Sequence, residues 1–112
     1  MSAILQARAV VVAKPGQWEA AKAVARKQVA NARTREGTLV YEIYLDEDAE
    51  QLINLAAYRD ADAWLAHVRA NPHAREYMKL VELVSPEVHG SPTPALSEAI
   101  AAFGQAVLHS PV

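Results

Sequence analysis

Residues 58–77 read YRDADAWLAHVRANPHAREY and combine several signals of secondary structure. A run of strand character ends at Tyr58, and Asp60 is a preferred residue type for the N-cap of a helix. Asn71 followed by Pro72 is a second start signal, because proline fits the first turn of a helix but disrupts its interior. The stretch therefore predicts the end of a strand followed by two successive helices.

On both sides of this stretch the apolar residues change their spacing. Residues 3–13 are rich in β-branched side chains and predict a strand, whereas residues 17–35 carry apolar side chains at helical spacing. Residues 38–45 and 51–58 alternate in the strand period around a short acidic loop, which implies antiparallel pairing. Beyond residue 71 we expect a helix that buries positions up to Val84 and ends at Ser85-Pro86. A short strand should follow at 87–90, and then a helix from Thr93-Pro94 to Gly104. Residues 107–108 should form a terminal strand or arm.

This order of elements, β-α-β-β-α-α-β with a helical tail, predicts an α+β fold of the ferredoxin-like split βαβ type. Such a fold has a four-stranded antiparallel sheet with helices on one face. The strands carry apolar side chains in both phases, as in Val40 beside Tyr41 and Leu52 beside Ile53. A sheet with two apolar faces and one layer of helices needs a partner for its second face, so we expect a homodimer that packs sheet against sheet.

Composition narrows the class of protein. The chain has 112 residues, of which 52% are hydrophobic and 21% charged, with a net charge of −2. These values are typical of a globular domain, and the dispersed basic residues argue against a nucleic-acid partner. The absence of cysteine excludes disulfides and thiolate chemistry. The sequence has no signal-peptide pattern and no apolar run long enough to cross a membrane, so we expect a cytoplasmic protein with no membrane partner. We expect one domain at 1–112, with a core at 3–90 and a C-terminal helical extension at 91–112.

Three segments together resemble one protein family. They are the hairpin GTLVYEIYLDED, the strand end AAYRD and the helix ADAWLAHVRANPH. Over about residues 3–90 the chain resembles the antibiotic biosynthesis monooxygenase domain, and the positions that match its motif are Tyr58, Asp60, His67 and His73. The resemblance implies a dimeric α+β barrel. It also implies one of several activities, namely cofactor-free oxygenation of phenolic or hydroquinone substrates, haem degradation, or isomerisation of small signalling molecules.

His67 is the candidate catalytic group that this resemblance implies. An imidazole with a pKa near ~6.5 can take a proton from a phenol or hydroquinone at neutral pH. The resulting anion can pass an electron to oxygen, so that no cofactor is required. The alternative is a histidine on the flank of a helix, hydrogen-bonded to a strand carbonyl. The leading hypothesis is therefore a cofactor-independent monooxygenase with a histidine base and a small aromatic or quinol substrate.

Five further residues are candidates for substrate binding. They are Tyr58, Asn54, Trp64, His73 and Tyr77. Each has an ordinary structural alternative as well: Trp64 falls on an apolar helical stripe typical of a core, His73 can be a partly exposed first-turn residue, and Asn54 can be bonded within the sheet. A ligand of this set would be a small aromatic or hydrophobic molecule.

Metal and haem chemistry receive little support from the sequence. His67, His73 and Glu76 could share a metal ion, but the two histidines are not one helical turn apart and a proline separates them, so we predict no metal site. His89 and His109 fall in no recognisable pattern. Haem handling would require an axial histidine. The main alternative to an oxygenase is a non-catalytic dimeric domain that binds a small hydrophobic ligand, which the alanine at position 56 favours because the family usually has a glutamate there.

Overall fold

A computed structural model describes residues 4–101 and 107–109 of the chain. Nine elements follow one another in these residues. They are β1 (Leu5–Ala13), α1 (Trp18–Ala32), β2 (Thr38–Asp46), β3 (Gln51–Tyr58), α2 (Ala61–Ala70), α3 (Ala74–Leu80), β4 (Val81–His89), α4 (Pro94–Ala101) and β5 (Val107–His109). The predicted end of the last helix at Gly104 lies outside the described residues.

The strands form one sheet in the order β2-β3-β1-β4-β5. The first four pair antiparallel, as predicted for the ferredoxin-like α+β fold, and the prediction of fold class is confirmed. The terminal segment is a strand, β5, which adds to the edge of the sheet in parallel with β4. No helix among the described residues is long and apolar enough to cross a bilayer.

Two core clusters lie between the sheet and the helices. The first core cluster consists of Val11, Ala13, Trp18, Ala21, Val24, Ala25, Leu52, Tyr77 and Val81. The second core cluster consists of Leu5, Tyr58, Ala63, Trp64, Leu65, Val88 and Leu96. The strand residues in both clusters belong to a single phase of the sheet, because alternate side chains of a strand point to opposite faces. This places the helices on one face only.

The junction between the third helix and the fourth strand differs from the prediction. The helix ends at Leu80 and the strand begins at Val81, so that Val84 is exposed on β4 instead of buried on a helix. Pairing with β1 decides this, since Val81 stands opposite Ala13 and the register continues to His89. The order of valine, leucine and glutamate residues in this segment is compatible with the apolar spacing of a helix or of a strand. Pairing with β1 therefore decides the structure over the local sequence pattern.

Two helix starts show how local capping works in this chain. The carboxylate of Asp60 accepts a hydrogen bond from the backbone N–H of Ala63 at 2.8 Å, which is the predicted N-cap of α2. Asn71, predicted as the cap of α3, instead ends α2 and accepts from the backbone N–H of His73 at 3.0 Å. The next helix therefore begins only at Ala74.

The second face of the sheet, here called the open face, is not covered by any of the described elements and carries apolar side chains. Val40, Tyr44 and Val84 are respectively 39%, 52% and 55% exposed. Tyr44 and its hydrogen-bond partner Glu42 lie in one phase of β2, whereas Tyr41, in the other phase, faces the helices. Exposed apolar side chains on one face of a sheet are a feature of interaction surfaces.

Candidate functional site

A cavity of about 220 Å³ lies between the two core clusters, under the helices. Its walls are apolar except at a few positions, and α4 contributes Ile100 to them. The C-terminal helix thus covers the cavity of its own protomer, held by Leu96, which is fully buried. The volume is below the roughly 300–1,000 Å³ typical of drug-sized ligand sites, so a ligand of one or two rings is the expected size.

Five of the six predicted site residues line this cavity. They are Asn54, Tyr58, Trp64, His67 and Tyr77. The sixth, His73, is not among the lining residues. It is half-buried at the start of α3.

His67 is a buried titratable group of the cavity. Helix α2 begins at the Asp60 cap and carries His67 inward on its second turn, where the residue is only 4% exposed. Its Nδ1 is buried and has no hydrogen-bond partner among the described residues, so the predicted bond to a strand carbonyl is not found for this atom. Burial, and to a lesser extent the positive charge of Arg35, lowers the pKa of His67 below its usual value of 6.5. The imidazole is therefore neutral at pH 7 and can accept a proton.

Three tyrosines, Tyr41, Tyr58 and Tyr77, line the cavity together with His67, and their hydroxyl groups are held protonated. The ring centroids of Tyr41 and Tyr58 lie 5.2 and 5.7 Å from that of His67. Burial raises the pKa of Tyr41 to about 12. Burial also raises the pKa of Tyr58 and Tyr77 well above the usual range. These phenols remain hydrogen-bond donors at any physiological pH.

Tyr58 and Trp64 form a flat aromatic wall. Their rings stack with centroids 5.0 Å apart and planes at 14° to each other. The pair joins the end of β3 to the start of α2. Trp64 belongs to the second core cluster and also lines the cavity, so both of its predicted roles, as core residue and as cavity wall, are compatible with its position.

Asn54 and Tyr77 connect the sheet to α3 across the cavity. The Asn54 amide donates to the carbonyl oxygens of Ala9 and Leu52 at 3.3 and 3.4 Å, and its Oδ1 accepts from the Tyr77 hydroxyl at 3.4 Å. The asparagine is thus bonded within the sheet and exposed to the cavity at once. These bonds are long, and a ligand hydroxyl could replace the tyrosine as partner of Oδ1.

Gln28 is a polar lining residue that the sequence analysis did not select. It is 3% exposed, its Oε1 accepts from the Asn71 amide at 3.1 Å, and its Nε2 is buried without a partner among the described residues. The signal was available: Gln28 lies three residues after Ala25 and four before Ala32, in the apolar stripe of α1. A glutamine in such a stripe is a buried polar group that requires a partner.

The cavity therefore combines apolar walls with a small set of polar residues. They include His67 with its neutral imidazole, Gln28 with an amide nitrogen that has no partner among the described residues, and three tyrosines. Such an arrangement suits a planar ligand that carries one or two hydroxyl or carbonyl groups. The charged residues of the lining are Arg8 and Glu87. Arg35, whose charge contributes to the lowered pKa of His67, is bonded to Asn31 and to the carbonyl oxygen of Ala70.

Known proteins place this architecture in a family. The sequence profile of the antibiotic biosynthesis monooxygenase family matches residues 6–80, more than half of the chain. Among solved structures, MupZ from Pseudomonas fluorescens is similar with a TM-score of 0.77 at 22% sequence identity, over 97% of this chain and 90% of its own. That likeness extends into the C-terminal extension.

Two further structures share the fold over a shorter part of the chain. PA3566 from Pseudomonas aeruginosa has a TM-score of 0.65 at 26% identity, over 79% of this chain and 91% of its own. Rv0793 from Mycobacterium tuberculosis has a TM-score of 0.62 at 22% identity, over 76% of this chain and 91% of its own. A search of curated proteins finds no match.

Proposed function

This chain belongs to the antibiotic biosynthesis monooxygenase family, and from that premise we propose that it is a cofactor-independent monooxygenase acting on a small aromatic or quinol substrate. The proposal rests on one observation above all, the buried Nδ1 of His67, which has no protein partner among the described residues and belongs to a residue of the cavity wall. A buried polar atom without a partner is costly unless a ligand or water satisfies it. A substrate hydroxyl would do so.

The proposed reaction begins with proton transfer from the substrate to neutral His67. The resulting phenolate or carbanion gives one electron to O₂, and the two radicals combine to form a carbon–oxygen bond. The proton returned by His67 converts the peroxide to a hydroperoxide. Cleavage of its O–O bond, with loss of the hydrogen that remains on the same carbon, releases water and leaves a carbonyl on the substrate. One oxygen atom enters the product and the other leaves as water, so the substrate supplies all the electrons that reduce O₂.

The remaining cavity residues position and stabilise the substrate in this proposal. Trp64 and Tyr58 offer a flat wall for an aromatic ring, where offset stacking contributes about 0.5–1.5 kcal/mol beyond buried area. Tyr77 and Asn54 hold a hydroxyl or carbonyl at the opposite end. Because Tyr58 and Tyr77 stay protonated, they can donate hydrogen bonds to the developing oxyanion.

Oxygen uptake by metal-stripped protein, measured against a panel of hydroquinones and anthrone-like phenols, tests this function. We expect uptake above the autoxidation blank that is lost in His67→Ala and kept in His73→Ala, since His73 does not line the cavity. With ¹⁸O₂, one labelled atom should appear in the product. Uptake that is equal in wild type and His67→Ala, or absent with every substrate, would contradict the proposal.

A non-catalytic dimeric domain that binds a small hydrophobic ligand is the second candidate. The observation in its favour is Ala56, which stands in the sheet beside the second core cluster where the family usually has a glutamate. Quenching of Trp64 fluorescence by a ring compound, measured in a Trp18→Phe background, would report binding directly. A binder should retain its affinity within a few-fold in His67→Ala and consume no oxygen.

We also propose that the protein is a cytoplasmic homodimer joined through the open face of its sheet. The exposed Val40, Tyr44 and Val84 support this arrangement, since they need cover from water. Light scattering should give twice the mass of one chain, and Val84→Glu should shift the protein towards the monomer. A wild-type protein that remains monomeric at micromolar concentration would contradict this part of the proposal.

A further inference from the structure

We propose a second site, in which Glu87, His89 and His109 bind a first-row divalent metal ion that cross-links β5 to β4. These three residues form a group whose ligand atoms all lie within 4.8 Å of one another. The sequence analysis predicted no metal site and found no pattern in His89 or His109, because the two histidines meet only through strand pairing.

Strand pairing brings the three side chains to one face of the sheet. Val88 is 4% exposed and belongs to the second core cluster, so its neighbours Glu87 and His89 point to the opposite, open face. The parallel register sets His109 directly beside His89. The three side chains therefore meet on the open face at the β4–β5 edge, where Glu87 is also one of the residues that border the cavity.

The distances are those of a site that needs only side-chain rotation to close. His89 Nε2 lies 3.4 Å from a carboxylate oxygen of Glu87, and the rings of His89 and His109 meet edge to face with centroids 5.0 Å apart. Metal–ligand bonds of about 2.0–2.2 Å in tetrahedral geometry require ligand atoms roughly 3.3 Å apart. The side chains of His89 and Glu87 are 44% and 29% exposed, and so they have room to make this adjustment.

The ligand types select the class of metal. Two imidazoles and one carboxylate form the three-ligand set of open zinc sites, with a water molecule as the fourth ligand. Such nitrogen-rich sets bind Zn²⁺, Ni²⁺ and Cu²⁺ in preference to Mg²⁺ or Ca²⁺. Arg8 stands opposite Glu87 in the β1–β4 register, but no ion pair joins the two among the described residues, and the carboxylate pairs with His89 instead.

The position of the group suggests what the metal would do. β5 is three residues long and is held to β4 by a short ladder, extended by one bond from the Gly90 N–H to the His109 carbonyl oxygen at 2.9 Å. A ligand on each strand would cross-link them. Metal binding should therefore stabilise the docking of the C-terminal segment.

The test uses the full-length chain without an affinity tag, freed of metal by a chelator that is then removed. Zn²⁺ titrated by calorimetry at pH 7.5 should bind with one equivalent per chain in wild type and in the control His73→Ala. The affinity should fall at least tenfold in His109→Ala, His89→Gln and Glu87→Gln. Zinc binding in His109→Ala equal to that of wild type, or only weak binding without defined stoichiometry in wild type, would overturn the proposal.

A second measurement identifies the ligands without any substitution. The imidazole resonances of His89 and His109 should shift on addition of one equivalent of Zn²⁺, while those of His67 and His73 should not. The same addition of Zn²⁺ should also slow hydrogen exchange of the β5 amides, because the bound metal ion would hold β5 against β4. Shifts at His67 or His73 instead would place the metal elsewhere and refute this assignment. The oxygenase proposal is tested by oxygen uptake of the metal-free protein, whatever the result of the zinc titration. The metal site and the oxygenase function can therefore be contradicted independently.

Discussion

The phenol ring of Tyr41 lies 5.2 Å from the imidazole of His67, tilted by 49°, and joins the helix-facing side of β2 to the inner face of α2. The contact excludes water from one side of the histidine, on which Tyr58 also packs. It explains in part why the imidazole is nearly inaccessible. The protonation of His67 is therefore set by packing between elements that are distant in the sequence.

We expect a pKa of His67 below 6.5 and an activity that is lost towards acid. Because protonated imidazole cannot accept a proton, kcat/KM should fall as the pH drops through this lowered pKa, and should be flat above it. The folded state binds the proton less readily than the unfolded state. The free energy of unfolding should therefore decline as the pH falls from about 6.5 to the pKa of the folded protein, and then level off. Imidazole resonances and urea titrations at several pH values measure both.

Arg35→Gln provides the matched perturbation. It removes the positive charge that contributes to the lowered pKa, so the acid limb should move to higher pH, although burial is the larger cause and keeps the pKa below the ordinary value. Arg33→Gln, at an exposed position of the same segment, should leave the profile unchanged. A pKa of His67 at or above 6.5 in the wild-type protein would show that the imidazole is hydrated in solution.

An added methyl group at Gly37 should destabilise the fold. Its φ is +85°, and a Cβ there would lie 2.7 Å from the Cβ of Ala63 at the start of α2. The backbone conformation costs a non-glycine residue roughly 1–2 kcal/mol, and the overlap adds to this. Gly37→Ala should therefore lower the free energy of unfolding more than Gly16→Ala, since Gly16 has a similar φ of +78° but open space around its Cβ position. Chemical denaturation compares the two.

Gly37→Ala combined with Ala63→Gly separates strain from overlap. The double variant removes the clash but keeps the backbone strain. Its decrease in the free energy of unfolding should therefore equal that of Gly16→Ala plus the cost of a glycine in a helix, which is about 0.5–1 kcal/mol. If Gly37→Ala and Gly16→Ala lower the free energy of unfolding equally, α2 must be able to move away from residue 37 at little cost.

Local patterns were sufficient for most of the fold. The strand period of residues 38–45 and the cap at Asp60 predicted β2 and the start of α2, because both depend on neighbouring residues. The predicted position of the α3–β4 junction was wrong, because pairing with β1 starts the strand at Val81 and the pairing partners are far away in the sequence. For the same reason β5 could be foreseen only as a strand or an arm.

The site was predicted in part, and the reason for the difference is geometric. His67 and Tyr58 were selected through their resemblance to a family motif, and both line the cavity. Gln28 was missed because a glutamine in a helical stripe is not distinctive until the elements pack together. The Glu87–His89–His109 group arises only in the assembled sheet.

Gln28 offers the sharpest test of how the cavity holds a ligand. Its Nε2 is buried with no partner among the described residues, so a ligand oxygen would gain a hydrogen bond there that the free protein lacks. Gln28→Leu should raise KM, or the dissociation constant of a quinol analogue, by about tenfold, as expected for the loss of one such bond worth about 1.4 kcal/mol. The effect on kcat should be smaller, because His67 still takes the proton. Lys27→Leu, an exposed position next to it on α1, is the control for a leucine in this helix and should leave both constants unchanged. If Gln28→Leu binds the analogue as tightly as wild type, the amide does not face the ligand.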